Sequence, residues 1–96
     1  SRIVNYNHFF NVCASIQTTE SQIDFLTKAK DQTNDPAEVN RLIIAIAGVE
    51  SARAGSINQY NADASKNYTE GQFRDSDLPF QIPLTNYTGV KTKCAY

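Results

Sequence analysis

The residue types that serve catalysis or metal binding are few and far apart in this 96-residue chain. His8 is the only histidine, so a nucleophilic triad would depend on it alone. Asp75 and Asp77 form the closest acidic pair, and they flank a turn before Leu78, where capping or solvation accounts for them. Neither a glycine-rich phosphate loop nor calcium-loop spacing is present. We therefore expect no catalytic residue, no metal site and no cofactor.

The two cysteines, Cys13 and Cys94, carry the clearest chemical signal. About 80 residues lie between them, which excludes a CxxC redox or zinc motif. They form either a long-range disulfide or two unrelated thiols. We expect the disulfide, because Cys94 lies in a polar stretch where a free thiol would be open to oxidation. Such a bridge indicates an oxidising compartment, and we therefore expect an extracytoplasmic protein that is periplasmic, on the cell surface or secreted.

Charge and hydropathy argue against two further classes of partner. Nine Lys and Arg residues against ten Asp and Glu residues give a formal net charge of -1, so nucleic-acid binding is not expected. The longest apolar run, residues 42–49, is far short of the roughly 20 residues that span a bilayer.

The sequence begins at Ser1. This start is typical of a mature chain that has lost an export signal or a lipid-bearing N-terminus, and equally of an arbitrary boundary.

Hydrophobic spacing predicts a first long helix over about residues 5–31. Its apolar stripe recurs every three or four residues and consists of Phe9, Val12, Ile16, Thr19, Ile23, Leu26 and Lys30. Phe10, Cys13 and Phe25 widen the stripe at its flanks. The polar break that follows this helix ends it near Asp31.

A second helix is predicted from Pro36 to about residue 66. Asp35 suits the N-cap, Pro36 the first helical position and Glu38 the third. Its apolar face consists of Val39, Leu42, Ile43, Ile46, Val49, Ala52, Ile57, Tyr60 and Ala64. Gly48 and Gly55 lie among other small residues, and this cluster predicts the close approach of another backbone.

A short polar loop between two long helices predicts an antiparallel hairpin. Two helices alone leave their apolar stripes uncovered, so we expect the tail, about residues 71–96, to pack along them as an extended ribbon. Four large apolar residues alternate there with other residues and should face the core together: Leu78, Phe80, Ile82 and Leu84. The predicted fold is a single all-α domain over residues 1–96, a long hairpin with an extended C-terminal segment, closed by Cys13–Cys94.

Tyrosine and asparagine residues are predicted to gather at the open pole of the hairpin, where the first helix begins and the second ends. They form the candidate binding surface: Asn5, Tyr6, Asn7, Tyr60, Asn61 and Tyr68. Both residue types are common in recognition surfaces. The alternative is that they satisfy the polar joint where helices, tail and disulfide meet.

Three stretches of the sequence together resemble a known group of proteins. They are residues 5–10 with Ile16-Gln17, residues 60–65, and residues 73–82. This combination resembles small exported proteins, often lipoproteins, that bacteriophages and prophages encode. The resemblance implies a helical hairpin on the outer or periplasmic side of a bacterial envelope. It also implies superinfection exclusion, in which the protein occludes a receptor or an injection component, and it carries over no functional residue.

The expected function is that of a non-enzymatic extracytoplasmic interaction protein with a protein partner in the cell envelope. Superinfection exclusion is the specific form that the resemblance implies, and a lipid anchor upstream of Ser1 is compatible with it. Two alternatives stay open. Hairpins could assemble as structural subunits of a bundle, filament or virion, or the protein could be a secreted inhibitor or toxin-like protein that binds through the ribbon or the open pole.

Overall fold

The computed structural model describes residues 6–69 and 78–94, which contain two α-helices and no strand. Helix α1 spans Tyr6–Asp31 and helix α2 spans Pro36–Thr69. The helices run antiparallel, because His8 of α1 contacts Asp63 of α2 at one end. This confirms the predicted hairpin, with α2 ending slightly later than predicted. Asn5, residues 71–77 and residues 95–96 of the predicted elements lie outside the described residues.

The start of α2 follows the capping chemistry that the sequence predicts. The Asp35 carboxylate accepts a hydrogen bond from the backbone N–H of Ala37 at 3.1 Å, and its carbonyl accepts the one from Val39 at 2.9 Å. These bonds satisfy N–H groups that the first turn of a helix leaves without a partner. Glu38 pairs with Arg41 one turn further on. The loop is therefore short and closed at the residues that the sequence indicates.

The hydrophobic core lies in the half of the hairpin near the open pole. It contains residues of both helices and of the C-terminal segment: Phe9, Cys13, Ile16, Ile57, Tyr60, Ala64, Leu78, Ile82 and Cys94. The rings of Phe9 and Tyr60 meet edge to face with centroids 5.5 Å apart. The Cys13–Cys94 disulfide lies within this core, as the sequence predicts. Segment and hairpin thus share one core.

The other half of the hairpin, toward the loop, leaves several apolar side chains exposed. Phe25 is 74 % exposed and Ile44 is 64 % exposed, although Phe25 was expected to widen the buried stripe. A Cβ added at Gly48 or Gly55 would meet no described atom within 4 Å. No described part of this chain, the C-terminal segment included, therefore makes the predicted close approach at these glycines. At 100° per residue, both glycines lie on the side of α2 away from the C-terminal segment.

The C-terminal segment confirms half of the predicted ribbon core. Leu78 and Ile82 are buried, whereas Phe80 is 40 % exposed and Leu84 is 55 % exposed, so the prediction for these two is wrong. The prediction assumed the two-residue alternation of a pleated strand. A paired neighbouring strand would enforce that alternation, and none is present among the described residues. Side chains of both helices hold this segment instead.

Candidate functional site

Tyr60 is a core residue and does not belong to the candidate binding surface. Its side chain is fully buried, and its hydroxyl donates a hydrogen bond to the carbonyl of Pro79. The aromatic ring packs on Phe9, while the polar tip holds the C-terminal segment. The prediction that Tyr60 is a surface residue is wrong, because the segment covers the pole where it lies.

Asn61 binds the C-terminal segment with both ends of its amide. The side-chain N–H donates to the carbonyl of Ile82, and the side-chain oxygen accepts from the N–H of Ile82, both at 2.8 Å. Asn61 therefore serves the polar joint within the protein. Asn7 is exposed. Asn5 and the side chains of Tyr6 and Tyr68 lie outside the described residues, so the rest of the predicted surface stays a prediction.

His8 joins the two helices at the open pole. Its Nε2 lies 2.9 Å from the Asp63 carboxylate, and both side chains are about one-third exposed. The contact ties the first turns of α1 to the last turns of α2. Among the described residues, no group of three or more acidic, histidine or cysteine side chains could hold a metal ion.

A buried ion pair between Glu20 and Arg53 is the main polar feature that the sequence prediction missed. The Arg53 Nε–H donates to Glu20 at 3.0 Å, the Glu20 side chain is fully buried, and that of Arg53 is 7 % exposed. A buried charge is costly unless it is paired and its remaining oxygens are hydrogen-bonded. The pair therefore needs further partners, and the C-terminal segment supplies them.

Thr92 and Thr85 of the segment complete this polar cluster. The backbone N–H and the hydroxyl of Thr92 both donate to Glu20, at 2.8 and 2.7 Å. Arg53 Nη1 donates to the carbonyl of Thr85 at 2.7 Å. Gln17 donates to the carbonyl of Thr92 at 2.8 Å. One buried pair thus holds the chain at two positions seven residues apart.

A second, exposed cluster lies further toward the loop. The Tyr87 hydroxyl and the Lys91 ammonium both donate to the Asp24 carboxylate, at 2.8 and 3.0 Å. These bonds lower the pKa of Asp24, with Lys91 the larger cause. Partial burial, and then the bond to Asp24, raise the pKa of Tyr87, and the bond to Asp24 raises that of Lys91. The Arg53 guanidinium lies 5.7 Å from the Tyr87 ring centroid, which links the two clusters.

We call residues 82–94 the anchored loop, because the scaffold holds it at both ends and in the middle. Asn61 binds its start, Asp24 binds Tyr87 in its middle, and Glu20 and the disulfide hold Thr92 and Cys94 at its end. Between these points the loop is largely exposed, with Val90 81 % and Leu84 55 % exposed. A small cleft of about 200 Å³ is lined by Arg53 and by side chains from residues 79–85 and 90–93. This arrangement suits the binding of another molecule.

No family model, curated protein or solved structure matches the chain. None of the helices in residues 6–69 is long and apolar enough to cross a membrane.

A signal for the buried pair is present in the sequence. Glu20 follows Ile16 by four residues, and Arg53 precedes Ile57 by four, so each charge lies on the apolar side of its helix. Opposite charges on the facing stripes of two antiparallel helices favour an internal ion pair. Its contact with Thr92 had no comparable signal, because no periodicity places an irregular segment.

Proposed function

We propose that this protein is a non-enzymatic extracytoplasmic interaction protein that binds a protein partner in the cell envelope through its anchored loop. The observation that carries the proposal is the exposure of Leu84 and Val90 on a loop held by a disulfide and a buried ion pair. A segment that served only to cover the hairpin would turn its large apolar side chains inward. This one turns two of them outward.

The anchors favour binding by lowering the entropy cost of recognition. A loop that is ordered before it meets its partner loses less conformational freedom on binding, and the saved free energy adds to affinity. Backbone bonds to Asn61 at Ile82 and to Glu20 at Thr92 supply this order. The residues between them make no backbone–backbone hydrogen bond among those described for the chain, and side chains hold them instead, such as Arg53 at the carbonyl of Thr85.

The compartment and the class of partner follow from two further supports. A disulfide persists where the surroundings are oxidising, which favours the periplasm, the cell surface or the extracellular space. The resemblance of the sequence to small exported phage and prophage proteins favours a receptor or an injection component as the partner. Binding there would exclude superinfecting phage, with or without a lipid anchor upstream of the chain.

To test this proposal, the chain is exported to the periplasm or the outer face of a bacterium, and the cells are then challenged with a panel of phages. We expect the number of plaques from at least one phage to fall by tenfold or more. The double variant Leu84→Asp/Val90→Asp should restore plaque formation, because it places charges where the loop offers apolar contact.

Ser51→Asn is the matched control, because Ser51 is exposed on the side of α2 away from the anchored loop. It should protect cells as the unchanged chain does. Affinity capture from envelope fractions with the same three proteins identifies the partner. Full protection by the loop variant, or unchanged plaque numbers together with no loop-dependent capture, would refute the proposal.

A further inference from the structure

The side of the hairpin opposite the anchored loop is long, continuous and without charge. We call it the back face. Residues three and four apart share one side of a helix, which defines this face by position. On α1 it consists of Val12, Ser15, Thr19, Gln22, Leu26 and Ala29, and on α2 of Ala45, Val49, Ala52, Ser56 and Gln59. All are exposed or half-buried.

Charged residues of both helices avoid the back face. Glu20, Asp24 and Arg53 contact the C-terminal segment on the other side. The Glu38–Arg41 and His8–Asp63 pairs lie beyond the two ends of the back face, and Lys30 directly follows its last α1 residue. Charged residues make up 20 % of the chain, so an exposed face of about five helical turns without one is unusual for a solvated surface. Small side chains on α2 would let another helix approach closely.

The area of the back face reaches the lower limit for a specific contact between two proteins. It extends about 27 Å along α1, at 1.5 Å per residue, and about 20 Å across two helices. Two copies face to face would bury roughly 1,100 Å² in total, which exceeds the approximately 1,000 Å² expected of a specific interface. Because both faces are neutral, no charge repulsion opposes the contact.

Phe25 and Gly48 supply a self-complementary fit at the edge of this face. The Glu20–Arg53 pair sets the register of the helices, and five residues nearer the loop on each helix lie Phe25 and Gly48, at one level. Phe25 is 74 % exposed and lines a shallow cleft of about 500 Å³ with Val49, while Gly48 is exposed and has open space above it. With α1 of one copy over α2 of the other, each Phe25 would lie against Gly48 of the second copy.

We propose that two copies of this chain associate through their back faces as a four-helix bundle, with α1 of each over α2 of the other. Antiparallel hairpins commonly bury a shared core in such bundles. The dimer would point two anchored loops outward, one on each side. Two loops on one particle would raise the apparent affinity for a surface that carries several copies of the partner.

Sedimentation equilibrium of the oxidised chain, from about 1 µM to 1 mM, tests this proposal. We expect a monomer–dimer equilibrium with the dimer dominant at the upper concentrations. Ala52→Glu buries a charge at the centre of the contact and should weaken dimerisation at least 100-fold. Adding Gln22→Lys, which lies opposite in this arrangement, should restore most of the loss.

The loop variant Val90→Asp is the control, because it lies on the far side of the hairpin and should dimerise like the unchanged chain. Circular dichroism should show the same helix content in all variants, since each substituted position is exposed. A monomer at every concentration, or a dimer that Ala52→Glu leaves intact, would overturn the proposal. Failure of Gln22→Lys to restore dimerisation would overturn the placement of α1 over α2. The outcome does not depend on phage protection, so the two proposals can fail separately.

Discussion

At the scale of single residues, Glu20 does the most to define how the C-terminal segment lies. Its buried carboxylate accepts from Arg53 and from both polar groups of Thr92. Arg53 belongs to α2 and Thr92 to the anchored loop, so the Glu20 side chain joins α1, α2 and the loop. A partly satisfied buried network is worse than an apolar one, which makes the cluster sensitive to any change.

Glu20→Gln should destabilise the protein by about 3–5 kcal/mol, because it leaves the Arg53 charge buried without its counter-ion. Equilibrium urea unfolding of the oxidised protein measures this difference. Glu38→Gln is the matched control: it breaks the Glu38–Arg41 pair, which is exposed, and should cost less than about 1 kcal/mol. Equal losses for the two variants would show that the Glu20 pair is not buried as described.

At the scale of elements, the helices were predictable and the path of the segment was only partly so. Long runs with a 3.6-residue period, and the Asp35-Pro36 start, predict α1 and α2 nearly to the residue. The sequence also predicts the disulfide. The sequence does not predict which residues of the segment are buried. Asn61 and Glu20 hold the segment by hydrogen bonds from its backbone to their side chains, and no repeating sequence pattern indicates such bonds.

Ile82→Ala should cost about 2–4 kcal/mol, since the Ile82 side chain is 3 % exposed within the core. Phe80→Ala should cost roughly half as much or less, although Phe is the larger side chain, because 40 % of it already contacts water. Thermal unfolding under reducing conditions gives the ranking without support from the disulfide. A larger loss for Phe80→Ala would contradict the burial described for the segment.

The Asp24–Tyr87–Lys91 cluster should make the middle of the anchored loop sensitive to pH. The lowered pKa of Asp24 means that the folded state favours its carboxylate, so this support is complete above about pH 4 and lost as the pH falls through the lowered value. The raised pKa values of Tyr87 and Lys91 mean that their support is complete below about pH 10 and lost above it.

NMR chemical shifts of the Tyr87 ring should therefore stay constant between about pH 5 and 9 and change on either side. In Asp24→Asn the change on the acid side should disappear, whereas Asp31→Asn, a control at the last residue of α1, should keep it. An acid transition at Tyr87 that survives Asp24→Asn would show that another group governs the loop.

At the scale of the whole molecule, the disulfide and the polar anchors stabilise the fold in different ways. In the chain-entropy account, a bridge that closes about 80 residues stabilises by roughly 4–5 kcal/mol, mainly by restricting the unfolded chain. The hydrogen bonds at Ile82 and Thr92 act on the folded chain and set the shape of the loop. The anchored loop thus lies on one side of the hairpin, and the back face on the other side is available for the proposed second copy.

Amide hydrogen exchange of the oxidised protein tests this account most directly. The N–H groups of Ile82 and Thr92 donate to Asn61 and Glu20, whereas those of Asn86 and Val90 lie in the exposed part of the loop. We expect the first two to exchange at least 100-fold more slowly than the second two at pH 7. If all four amides exchange at the same fast rate, the loop is not anchored, and both its ordered shape and its proposed role in binding are contradicted.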